Sequence, residues 1–89
     1  MRTITLDGQK MTTIEKTHKY LSAQLNFPDY YGENLDALWD ILSTVSEPMQ
    51  IRLVNQEKLD FYLAEYAQGL IGIFFEAALV NENVCFELL

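Results

Sequence analysis

Met49-Gln50-Ile51-Arg52-Leu53-Val54 lies just past the middle of the chain and reads as a β-strand enclosed by helical segments on both sides. Immediately before it, Ser46-Glu47-Pro48 closes a helix of about nine residues, Leu35 to Ser43, for which Asn34 is a good N-cap. Immediately after it, Asn55 can cap a third helix from Gln56 to about Leu63. Gly69 reads as a break, followed by a fourth helix from about Leu70 to Asn81 and a last strand, Val84 to Leu88. Towards the start, Arg2-Thr3-Ile4-Thr5-Leu6 alternates polar and apolar residues as a strand does, and Asp7-Gly8 turns the chain. Thr12 with Glu15 forms a capping box that opens a first helix reaching about Leu25. The resulting order is β-α-α-β-α-α-β. Strands joined through helices usually pair in parallel with right-handed crossovers. The expected class is therefore α/β: a small three-stranded parallel sheet, packed against helices that must cover at least one face.

The chain has 89 residues, which suits one domain spanning 1–89. Hydrophobic residues make up 49%, with five Phe, five Tyr and one Trp, enough to build a core without covalent staples. Cys85 is the single cysteine, so no internal disulfide can form, and a buried apolar thiol in the last strand is expected. No signal peptide and no apolar run long enough to cross a bilayer is present, which points to the cytoplasm. The net charge is −7. Between Lys19 and Arg52 there is no Lys or Arg, yet Asp29, Glu33, Asp36, Asp40 and Glu47 all fall there. Such a chain repels nucleic acid and anionic lipid and attracts basic partners.

Ile14, His18, Leu21 and Leu25 line one face of the first helix, where His18 reads as a packed, hydrogen-bonded core residue. On the second helix, Leu35, Leu38, Ile41 and Leu42 form an apolar arc. Asp36 and Asp40, four residues apart, share the opposite face with Ser43 beside them, and Trp39 flanks it. Carboxylates at this spacing repel each other by a few tenths of a kcal/mol in an isolated helix. They could be ordinary surface acids. The preceding Tyr30-Tyr31 pair and Trp39 favour a binding surface instead, since aromatics beside charges are common at hot spots. A glycosidase pair needs acids across a cleft, not on one convex helix. A Mg²⁺ site of Asp36, Asp40 and Glu76 is conceivable, but no calcium-type loop supports it. There is no P-loop, no dinucleotide fingerprint and no nucleophile elbow.

The run Tyr30-Tyr31-Gly32-Glu33-Asn34-Leu35-Asp36-Ala37-Leu38-Trp39-Asp40 closely resembles the central segment of the barstar family, intracellular inhibitors of barnase-type ribonucleases. The resemblance extends over the whole chain, through the His18 region, Pro28, Pro48 and Phe74-Phe75-Glu76-Ala77. It implies a parallel three-stranded sheet on helices, no enzymatic activity, no cofactor and a small basic ribonuclease as partner of a monomeric inhibitor. By position, Asp40 would occupy the nuclease phosphate site and meet its arginines and histidine, and Asp36 would pair with a further basic group. Tyr30 would pack against the catalytic histidine region and Trp39 would support the rim, with Tyr31 and Ser43 completing the expected partner-binding set. Gly32 and Asn34 would make polar contacts, and Glu76 would reach an arginine at the edge. The family's tryptophan just past the second helix has no counterpart here; Val45 stands nearest. The family's paired cysteines are also absent, with Ile41 at one of their positions, and Glu47-Pro48 corresponds to a prolyl bond that is cis in the family. The missing aromatic leaves open a partner other than barnase, including a nuclease toxin of different fold against which this chain would serve as immunity protein.

Overall fold

A computed structural model describes residues 1–89. The order is β1 (Arg2–Asp7), a 3₁₀ turn (Gly8–Lys10), α1 (Ile14–Leu25), α2 (Leu35–Thr44), β2 (Met49–Val54), α3 (Gln56–Leu63), α4 (Glu65–Val80) and β3 (Val84–Leu88). The three strands form one sheet in the order β1-β2-β3, parallel throughout. The expected β-α-α-β-α-α-β architecture is thus what the chain adopts.

Strand register explains which face is buried. Ile4 pairs with Ile51 and Ile51 with Phe86, while Leu6 pairs with Leu53 and Leu53 with Leu88. These residues point into the core with Leu21, Leu38, Leu42, Leu59, Leu70 and Phe74 from the helices. The alternate positions, Thr3, Thr5, Gln50, Arg52, Cys85 and Glu87, face the other way. Arg52 pairs there with Glu87 at 2.7 Å, and Gln50 Nε2 donates to the same carboxylate at 3.1 Å. Cys85 is therefore exposed, not buried as expected. Its strand pairs on one side only, and the period of two places it on the uncovered face.

Two helix starts and one cap differ from the sequence expectation. Thr13, not Thr12, caps α1: its backbone is extended and its Oγ1 accepts the Lys16 N–H at 3.0 Å. The helix consequently starts one residue later, and Ile14 is half exposed instead of facing the core. Gly69 does not break α4, which runs from Glu65 through it. A Cβ there would lie 3.3 Å from Leu35 Cδ1, so the glycine serves close approach of α2. The true break is Ala64, whose φ of 52° with ψ of −126° ends α3 and turns the chain into α4. Asn55 stands at the start of α3 in the left-handed region and makes no cap bond; its Nδ2 donates to Asp7 Oδ1 at 2.8 Å instead. This bond, with the Gln9 N–H at 2.9 Å, holds the Asp7 carboxyl below its usual pKa.

α2 and α4 run side by side in the same direction. The start of α2 meets Gly69, and past its end Asn81, buried, donates to the carbonyls of Leu42 and Val45, both at 3.0 Å. No peptide bond is cis, Glu47-Pro48 included. No helix is long and apolar enough to cross a membrane.

Candidate partner-binding site

α2 is set in place from both ends and from beneath. Asn34, extended, accepts the Ala37 N–H on its Oδ1 at 2.7 Å, which satisfies one of the helix's free donors. Its Nδ2 donates to Gly32 O at 3.3 Å and so ties the loop to the helix start. Leu38 and Leu42 are fully buried, whereas Leu35, Ile41 and Trp39 are half-buried against the core. At the far end, the hydroxyls of Thr44 and Ser43 donate to Asp40 O at 2.7 and 3.4 Å.

This anchoring leaves the opposite side of α2 free. Asp36 and Asp40 are exposed, as the helical period demands. The only ion pairs are Lys19–Glu33 and Arg52–Glu87, and no side-chain hydrogen bond holds the Asp36, Asp40 or Glu76 carboxylate. Glu76 is exposed on α4, in the stretch between Gly69, which meets the start of α2, and Asn81, which bonds its end. The acids do not converge as metal ligands: nowhere do three His, Cys, Asp or Glu side chains gather to hold an ion.

Asp40 borders a surface hollow of about 250 Å³, lined also by Tyr30, Tyr31, Gly32, Ala37 and Ile41. Of the expected site residues, the fold thus brings Tyr30, Tyr31, Gly32 and Asp40 around one depression. Asp36 lies one helical turn before Asp40, and Asn34 just ahead of it. Trp39, Ser43 and Glu76 stand outside the hollow. Spacing along the helix does not mark Ala37 and Ile41 for this role; Ile41 reads as a core position, and only the half-buried rim of the apolar arc exposes it.

The two adjacent tyrosines part company. Tyr30 is 85% exposed, while Tyr31 is buried at 7%. Tyr31 packs edge-on against Phe27, and its hydroxyl lies 2.6 Å from His18 Nδ1. It forms the floor of the hollow, and of the two tyrosines Tyr30 alone projects into solvent.

Among known protein families, the one described as Barstar (barnase inhibitor) matches residues 1–89. The chain belongs to the barstar family. A curated relative from Bacillus subtilis (strain 168), named "Putative ribonuclease inhibitor YrdF", is 44% identical over 78 residues, which cover 86% of each chain.

The single histidine of this barstar-family chain is fully buried, and its second ring nitrogen lies 2.6 Å from the Tyr66 hydroxyl on α4. Burial lowers the His18 pKa below the ordinary 6.5, partly opposed by the nearby Glu33 carboxylate. The same desolvation raises the Tyr31 and Tyr66 hydroxyls, so both stay protonated at neutral pH. A histidine with a lowered folded pKa is protonated first in the unfolded chain. Its stabilising contribution is therefore complete above about pH 6.5 and is lost as pH falls from there towards the folded value. Thermal unfolding of wild type and His18→Gln at pH 8 and pH 5.5 tests this. The wild type should lose more stability across that interval than the variant, the subtraction removing effects of the many carboxylates.

Proposed function

We propose that this chain is a non-enzymatic inhibitor, acting in the cytoplasm, that binds a small basic ribonuclease of the barnase type and closes its active site. Its family membership and the inhibitor name of its Bacillus relative support the reading. The observation that carries it is the pair of unpaired carboxylates, Asp36 and Asp40, presented on a helix that Leu38 and Leu42 anchor in the core.

A ribonuclease active site collects cationic groups to hold phosphate, and those groups lack counter-charges when the site is empty. A carboxylate offered on a rigid helix replaces the phosphate with little loss of conformational entropy. Asp40 at the rim of the hollow would meet the phosphate-binding cations. Asp36 and Glu76 would extend the negative field to either side. Tyr30, projecting from the loop, would add the apolar contact that excludes water around the charges. Gly32 and Asn34 would offer polar groups along the loop, with Trp39 and Ser43 flanking the contact.

Cleavage of RNA by barnase, assayed with increasing amounts of this protein, is the direct test. Inhibition that saturates near one equivalent supports the reading, and unaffected cleavage by barnase at high inhibitor excess counts against it. The charge of −7 makes a second expectation. Association should be steered, so raising salt from about 20 to 500 mM should slow the on-rate by at least about ten-fold. A stopped-flow on-rate indifferent to salt would contradict steering by these acids.

A further inference from the structure

The loop that carries Tyr30 has one buried anchor. Of residues 26–34, Tyr31 alone is buried; Phe27 and Pro28 are half-buried and the rest exposed. The loop has no helix or strand of its own, and two of its residues, Asn26 and Glu33, sit in the left-handed backbone region at φ 57° and 54°. For Glu33 that conformation is unfavourable and persists only where the surroundings impose it. At its start the loop is tied to α1, with the Phe27 N–H on Ser22 O at 3.0 Å and the Phe27 ring against the core; beyond Pro28, Tyr31 N–H donates to Pro28 O at 3.0 Å, Lys19 pairs with Glu33 at 3.5 Å, and Asn34 Nδ2 reaches Gly32 O. The Tyr31 hydroxyl on His18 is the loop's buried side-chain hydrogen bond.

His18 does more than hold one tyrosine. Its ring bridges the Tyr31 hydroxyl and the Tyr66 hydroxyl, each at 2.6 Å, and so connects the loop through α1 to α4. α4 in turn packs along α2 and carries Glu76. A neutral imidazole has one N–H and one lone pair, so one tyrosine accepts from the ring and the other donates to it. The chain Tyr31–His18–Tyr66 is then complete, with a donor matched to an acceptor at each ring nitrogen. Removing the Tyr66 hydroxyl leaves one nitrogen of a fully buried ring without its partner, so the ring loses one of its two tethers and Tyr31 is held by a looser imidazole. The charged group that acts on this chain is Glu33 on the loop, itself paired with Lys19 of α1.

We infer that His18 is a positioning residue: linked to Tyr66, it fixes Tyr31 and thereby the posture of Tyr30, Gly32 and the start of α2 towards the partner. The inference deepens the ribonuclease-inhibitor reading and rests on it for its functional consequence, but the posture of the loop can be measured without any partner. Tyr66 is half-buried on α4 and does not line the hollow, so it reports on positioning and not on direct contact.

The test uses Tyr66→Phe, which keeps the ring, and His18→Gln. Amide hydrogen exchange is followed in the free protein at Tyr31, bonded to Pro28 O, and at Ala37, bonded to Asn34 Oδ1, with β2 amides as reference. In Tyr66→Phe both reporter amides should exchange about ten-fold faster while β2 is unchanged, because local opening is freed without global unfolding. Inhibition of barnase by the folded variant should weaken by about ten-fold through lost preorganisation. The double variant should be no weaker than the worse single one, as expected for residues acting in one chain. Unchanged loop exchange, or acceleration spread equally over β2, overturns the inference. Inhibition by folded Tyr66→Phe equal to wild type also overturns it. Faster loop exchange with a wild type that never inhibits barnase leaves the positioning role standing and removes the ribonuclease reading. Should His18→Gln not fold, Tyr66→Phe alone decides.

Discussion

Asp40→Ala should raise the inhibition constant against a barnase-type ribonuclease by at least about thirty-fold, with little change in the stability of the free protein. The carboxylate has no ion pair or side-chain hydrogen bond of its own, so nothing within the chain is broken by its removal. It also stands four residues from Asp36 on an exposed face, and relieving that repulsion should leave stability equal or slightly higher. In the complex the balance reverses. Truncating one member of a buried charge pair costs about 2–5 kcal/mol, a range to which the barnase–barstar pair itself contributed. At about 1.4 kcal/mol per factor of ten, that corresponds to roughly thirty- to several-thousand-fold. Much of the loss is the penalty of leaving the nuclease's cations buried without a counter-charge. Asp40→Asn should recover only a minor part, since shape returns without charge. Inhibition assays and thermal melts on the same preparations check both halves. A constant within two- or three-fold of wild type for Asp40→Ala would remove this residue from the decoy role.

Phe74→Ala should destabilise the fold by about 3–5 kcal/mol. The ring is 2% exposed on α4 and stacks on Phe86 of β3, with centroids 4.9 Å apart and planes 12° from parallel. Truncation removes the transfer energy of the ring and leaves a cavity between helix and sheet that the close packing around it cannot fill. Total stability of a globular domain is typically about 5–15 kcal/mol, so about a fifth or more of it should vanish. With a shift of about 4–8 °C per kcal/mol, the melting temperature should fall by more than about 12 °C. Phe75 provides the contrast. It is 44% exposed and touches Phe86 only edge-on, so Phe75→Ala should cost much less. Urea midpoints for the two variants give the comparison, and equal midpoints would contradict the packing described.

Much of the site was readable because it lies on one helix. Periodicity over Leu35 to Leu42 alone puts Asp36 and Asp40 opposite the apolar arc, and Asn34 announces the helix start. The aromatic pair was not readable in the same way. Tyr30 and Tyr31 are chemically identical neighbours in an irregular loop, where no period of two or 3.6 assigns faces. The decision between them depends on His18, 13 residues back, and His18 in turn on Tyr66, 48 residues ahead. Gly69 misled for a related reason: a glycine in a helix reads as a break unless the side chain approaching it, here Leu35, is known.

Local pattern therefore determined the kinds of element, their order, the parallel sheet and the outward acids of α2, since each follows from side-chain spacing along one stretch of backbone. Tertiary structure decided which sheet face lies open and so exposes Cys85, that Tyr31 turns in while Tyr30 turns out, and that α4 begins at Glu65 after the strained Ala64. Those outcomes rest on contacts between residues far apart in sequence, whose energies exist only once the chain has closed on itself.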